Sequence, residues 1–169
     1  MTQPVLAHRF TFLHTSAFRW VLTSSSVFAA AFLLVGAMAL AGCSGSTKSN
    51  VVSMGATMNA ASEVPPNTSA GKGDARVKLD KSTKTLTSTV TYSGLTGDAT
   101  AAHFHGPAAP GANAPVIIPI GMGSVPNPAT GSKVLTDDQI ADLLAGKWYV
   151  NVHTKANPGG EIRGQVVAQ

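Results

Sequence analysis

Asp74-Ala75-Arg76-Val77-Lys78-Leu79-Asp80 alternates polar and apolar residues at every step, and Lys84 to Tyr92 alternates again after three polar residues. Successive side chains of an extended chain point to opposite faces. Ala75, Val77 and Leu79 therefore share one face and the charged residues take the other. In the second segment Leu86, Val90 and Tyr92 share a face, opposite Thr85, Thr87, Thr89 and Thr91. Lys81-Ser82-Thr83 is a short polar connection, so the two segments read as an antiparallel hairpin with one buried side.

The pattern continues on both sides of the hairpin. Pro115 to Ile120 is a short apolar run interrupted by prolines, which suits an edge or irregular strand. Thr136-Asp137-Asp138-Gln139 is a capping box, with Ile140, Leu143 and Leu144 as the apolar stripe of a short helix and Gly146 as its stop. Trp148, Val150 and Val152 alternate inward on the next strand, leaving Tyr149, Asn151 and His153 on the opposite face. A last strand runs from Glu161 to Val167, with Ile162 and Val166 on one side and Arg163 and Gln165 on the other. The stretches 106–114 and 121–131 are rich in Gly, Pro, Ala and Asn and read as long loops. Many short strands with frequent turns and one helix predict an all-β antiparallel sandwich or barrel.

The N-terminus reads as an export signal. Arg9 and Arg19 precede an apolar run from Val27 to Leu40, which ends in Leu40-Ala41-Gly42-Cys43. This resembles a lipobox, in which the cysteine thiol is lipidated after cleavage. The organisation expected is a signal peptide over 1–42, a flexible Ser/Gly-rich tether over 43–50, and one domain over 51–169. The competing reading is an uncleaved membrane anchor. Cys43 is the only cysteine of the chain, so the domain has no intrachain disulfide. Ser44 after the cysteine, by resemblance to the usual sorting pattern, favours the outer membrane. The expected location is the cell envelope, with the membrane as partner through lipidated Cys43.

Twelve basic residues, two of them in the leader, leave ten against eight acidic ones. With no basic cluster among aromatics, nucleic acid is not an expected partner. Hydrolytic chemistry finds no support either, since there is no Gly-x-Ser-x-Gly elbow and no convincing carboxylate pair.

Five histidines occur, and His8 and His14 fall in the leader. The domain keeps His103 and His105 in Ala101-Ala102-His103-Phe104-His105-Gly106-Pro107, and His153 in Tyr149-Val150-Asn151-Val152-His153-Thr154. A His-x-His pair presents both imidazoles on one strand face. A third imidazole from another strand would complete a metal site suited to copper, with zinc as the alternative. Glu161, Arg163 and Asn151 are candidates to hold those ligands in place. The alternative is structural: His105 bonded to loop carbonyls, His153 paired with Glu161, and the loops free to bind a protein partner. Met54, Met58 and Met122 are scattered and form no copper-binding cluster.

Glu63-Val64-Pro65-Pro66, His103 to Ala108, the Leu135-Thr136 helix start, Tyr149 to Thr154 and Asn157 to Gln165 together resemble the CHRD domain, named for repeats in chordin. The resemblance covers essentially all of 51–169. The lead-in Ser93-Gly94-Leu95-Thr96, the His-x-His and the later Val-His are more distantly similar to copper/zinc superoxide dismutases. That similarity implies an antiparallel Greek-key β-sandwich, of immunoglobulin-like or dismutase type. It also implies copper ligation by His103, His105 and His153, and a loose match of Arg163 to the arginine that steers superoxide. The bridging histidine, the zinc-type cluster and the disulfide of those enzymes have no counterpart here. Copper binding is therefore the leading expectation, a non-enzymatic adhesion or protein-binding module the alternative, and dismutase-like redox activity a third.

Overall fold

The computed structural model describes residues 49–169. The proposed signal peptide over 1–42, Cys43 and most of the tether lie outside the described residues. Nine strands and one α-helix make up the described chain, in the order β1 (Val51–Asn59), β2 (Lys72–Asp80), β3 (Thr85–Ser93), β4 (Ala99–His105), β5 (Val116–Met122), β6 (Ala129–Val134), α1 (Asp137–Leu144), β7 (Tyr149–Thr154), β8 (Ile162–Gln165) and β9 (Val167–Ala168). A 3-10 turn, Ala60–Ser62, follows β1.

The β2–β3 hairpin forms as its alternation dictates. Its register runs from Lys72 opposite Ser93 to Asp80 opposite Thr85. Ala75, Val77, Leu79, Leu86 and Val90 are buried. The Tyr92 hydroxyl donates to the Val125 carbonyl at 2.7 Å. At the turn, the Asp80 carboxylate accepts from the backbone N–H and the hydroxyl of Ser82. These bonds hold the Asp80 carboxyl below its ordinary range.

All pairings are antiparallel, and the strand order is β5-β4-β7-β8-β1-β2-β3-β6, with β9 on β1. The sheet curls until its end strands β5 and β6 approach each other, giving a nearly closed, barrel-like form. The all-β, antiparallel fold with one short helix is as the sequence predicts. Inside lie Met54, Met58, Val77, Leu79, Leu86, Val90, Phe104, Trp148, Val150, Val152 and Ile162. Burying a side chain of that size contributes about 1.5–3 kcal/mol, which lets the domain hold together without a disulfide.

The helix starts on Thr136, whose side chain accepts from Gln139 N–H while the Gln139 side chain accepts from Thr136 N–H. Gly146, at φ +69°, ends it in the left-handed region that glycine favours. β5 is an edge strand whose pairing with β4 shifts register between Ala102 and His103 and again between Phe104 and His105. One expectation fails: 121–131 is not a loop throughout. β5 continues to Met122, and Ala129 to Val134 pairs with β3 as strand β6.

Candidate metal centre

β4 and β7 lie side by side, with Ala101 opposite His153, His103 opposite Asn151 and His105 opposite Tyr149. Alternation sends Ala102, Phe104, Val150 and Val152 into the core. His103, His105, Tyr149, Asn151 and His153 are thereby gathered on the other face. His105 and His153 are each 8% exposed, whereas His103, toward the β5 edge, is half-buried. The three histidines offer one ring nitrogen each within 4.8 Å of one another.

The outward contacts fix which nitrogens face inward. His105 Nδ1 lies 2.9 Å from the Ala114 carbonyl oxygen and His153 Nδ1 lies 2.9 Å from that of Pro158. A carbonyl oxygen only accepts, so each Nδ1 donates to it and each ring turns its Nε2 edge inward. His103 is turned the other way round. Its Nε2 lies 3.1 Å from the Met122 thioether sulfur and its Nδ1 lies 3.1 Å from His153 Nε2. Asn151 Oδ1 stands 2.9 Å from His153 Nε2 and 3.1 Å from His105 Nε2. The His103 Nδ1, the Nε2 atoms of His105 and His153 and the Asn151 side-chain amide therefore converge on one place.

Burial favours the neutral form of His103 and His153. Burial, then the neighbouring His153 and His105 rings, push His103 down to about 4. Burial also lowers His153, against the Pro158 carbonyl, which favours the protonated ring. Neutral imidazole is the form that ligates metal. The donor set, three imidazole nitrogens with an amide oxygen beside them, suits copper or zinc and would not attract a hard cation such as calcium.

Neighbouring groups brace the rings. Tyr149 stacks on His105 with centroids 4.7 Å apart and planes 3° from parallel. Arg163, 2% exposed, lies over Tyr149 with its guanidinium carbon 3.4 Å from the ring centroid. It donates to the Asn113 Oδ1 at 3.0 Å and the Ala112 carbonyl at 2.6 Å. Arg163 thus fixes the loop 106–115 that carries the Ala114 carbonyl, and supports His105 through Tyr149.

Glu161 requires a correction. It makes no hydrogen bond or ion pair with His153. The strand β8 starts only at Ile162, and Gly160, at φ +131°, turns the chain just before it. The Glu161 carboxylate instead accepts from Ser69 Oγ (2.6 Å), Thr96 N–H (2.7 Å), Thr96 Oγ1 (2.7 Å), Thr154 Oγ1 (2.5 Å) and Asn157 Nδ2 (3.1 Å). Complete burial alone would raise this group, but the donors overcome that and hold it at about 2. Glu161 thereby ties down the turn 154–157, and its link to His153 is indirect, through the Pro158 carbonyl that follows. Met122 corrects the reading in the other direction. It is 68% exposed yet stands at His103, an arrangement that the bulged β5 register creates and that no local pattern announces.

No curated protein and no solved structure matches the chain. The family described as CHRD domain matches residues 54–166, which include every residue of the histidine centre and span two of the motifs flanking it, Glu63-Val64-Pro65-Pro66 and Asn157 to Gln165. The chain belongs to the CHRD family.

Proposed function

We propose that this CHRD domain binds copper through His103, His105 and His153, and does so at the cell envelope, anchored by a lipid on Cys43. The observation that carries the reading is the convergence of one ring nitrogen from each of the three histidines on one face of the sheet. Lone pairs facing one another repel, and a cation among them turns that repulsion into ligation. Carbonyl oxygens hold the Nδ1–H of two of the rings, the usual way a protein orients imidazole ligands. Bonds of about 2 Å to a shared ion require the nitrogens to draw inward by roughly 1 Å from their widest spacing. Among divalent ions, copper binds such a nitrogen set more tightly than zinc. The resemblance of Leu40-Ala41-Gly42-Cys43 to a lipobox supports lipidation, and Ser44 supports the outer membrane. Among the described residues no helix is long and apolar enough to cross a membrane.

Elemental analysis and calorimetry on the purified protein test the metal site. One copper per chain is expected, with loss of binding in the His103→Ala/His153→Ala double variant and a rise in melting temperature when copper is added to wild type. Absence of copper binding by wild type, or undiminished binding by the double variant, overturns the proposal. Mass spectrometry of the membrane fraction tests the anchor: a diacylglycerol-modified Cys43 at the new N-terminus is expected, and a Cys43→Ala variant should remain unlipidated.

A further inference from the structure

Glu63 takes no part in the histidine centre, yet it is among the most unusual groups in the domain. It follows the 3-10 turn, where Asn59 Oδ1 accepts from Ser62 N–H and the Ala60 carbonyl accepts from both Glu63 N–H and Asn67 N–H. This loop is therefore held rigidly, with Val64-Pro65-Pro66 continuing it. The Glu63 side chain is 4% exposed, and its Oε1 has no hydrogen-bond partner. The carboxylate packs over Gly160, where an added Cβ would come within 2.8 Å of both oxygens.

Glu63 and Arg163 line the same cleft, of about 510 Å³, together with Ser62, Val64, Pro110 and Gln165. The two charged groups do not pair: the ion pairs among the described residues are Lys84–Asp137 and Lys147–Asp142. Arg163 is bonded to neutral acceptors, Asn113 and Ala112, which occupy two of its five N–H groups. One cleft thus holds a buried carboxyl group with one oxygen unpartnered and a buried guanidinium without an ion-pair partner. Leaving such groups unpaired is costly, because burial strips their hydration without returning a partner.

We propose that this cleft is a second binding site and takes a small zwitterion of the α-amino-acid type, its ammonium on Glu63 and its carboxylate on Arg163. A purely cationic ligand would satisfy Glu63 but meet the Arg163 charge, and a purely anionic one would meet Glu63. A ligand carrying both charges a few ångströms apart complements both groups at once. An ammonium brings three donors to the unpartnered oxygen, and the cleft has a volume typical of small-molecule sites. The proton affinity of Glu63 agrees with this: burial, opposed by Arg163, lifts it to about 7, so a cationic partner stabilises its ionised form.

The test is a two-dimensional NMR titration of the full-length metal-free protein with glycine and with alanine, using acetate and methylammonium as singly charged controls. Saturable shifts are expected at residues 61–64, 110, 111, 163 and 165 with the amino acids, with each control at least about tenfold weaker. Glu63→Gln, which keeps the shape, should weaken amino-acid binding by about tenfold or more. Three results overturn the proposal: no saturable shift up to about 10 mM amino acid, equal response to acetate, or unchanged affinity in Glu63→Gln. Because the comparison of ligands uses wild-type protein, a folding defect of the variant does not decide the outcome. The histidine centre is not probed, so the copper reading stands or falls separately.

Discussion

Arg163 lies over Tyr149, its guanidinium carbon 3.4 Å from the ring centroid. Its two hydrogen bonds to Asn113 and Ala112 come from a planar fork that lysine cannot reproduce. Arg163→Lys should therefore destabilise the domain by about 2–3 kcal/mol, measured by urea unfolding. Because Tyr149 also stacks on His105, copper affinity should fall by about tenfold in a competitive chelator titration. A variant as stable as wild type would show that the clamp on loop 106–115 is unimportant.

Met122 is exposed, so its replacement by leucine should change unfolding free energy by no more than about 0.5 kcal/mol. The thioether nevertheless faces His103 Nε2 and favours the proton there, leaving Nδ1 turned inward. Met122→Leu removes that acceptor while filling similar space. Copper affinity should drop by about 10–100-fold, the range seen when a group orienting a ligand is lost. Calorimetry showing wild-type affinity in the variant would mean that packing alone orients the His103 ring.

Glu161 accepts five hydrogen bonds at the base of the turn that follows β7. Glutamine keeps one acceptor oxygen but aims an NH₂ at groups that also donate. Glu161→Gln should cost about 2–4 kcal/mol. The native group sits at about 2, well below its ordinary value of 4.5. Its contribution is therefore present above pH 4.5 and lost as pH falls toward 2. Wild type should lose stability over that window, and the variant should lose less, in thermal melts recorded from pH 5 to 2.

The hairpin was readable because its positions alternate with a period of two and one face is buried along its length as far as the partly buried Tyr92. Strand β6 was not, since Ala129-Thr130-Gly131-Ser132-Lys133-Val134 buries only Ala129 and owes its extended form to pairing with β3. For the histidines, sequence supplied the shared face of His103 and His105, but their meeting with His153 depends on the β4–β7 register between segments some fifty residues apart. Alternation also misplaced Glu161, because it assumes a strand where Gly160 has already turned the backbone. The carbonyls of Ala114 and Pro158 are backbone groups, so no residue type could have marked them.

Glu63 offers a pH signature of opposite sign to that of Glu161. Its value of about 7 in the folded chain lies above the ordinary 4.5, because burial disfavours the carboxylate more than Arg163 favours it. The neutral form then contributes stability that is complete below pH 4.5 and lost as pH rises through 7. The loss cannot exceed about 3–4 kcal/mol, the equivalent of a displacement from 4.5 to about 7. His103 and His153, both lowered, act in the other direction, since the unfolded chain takes up their protons first as pH falls. The two effects overlap between pH 5 and 8, so the wild-type profile alone does not separate them. Glu63→Gln removes one contribution and leaves the histidines intact. Subtracting its urea-unfolding profile from that of wild type should leave a term that falls with rising pH and levels off above about pH 8. A flat difference would mean that Glu63 is hydrated or partnered in solution. An amino acid bound in the cleft should shrink the term and make it level off at lower pH, because its ammonium stabilises the ionised carboxylate and so lowers the folded-state pKa of Glu63.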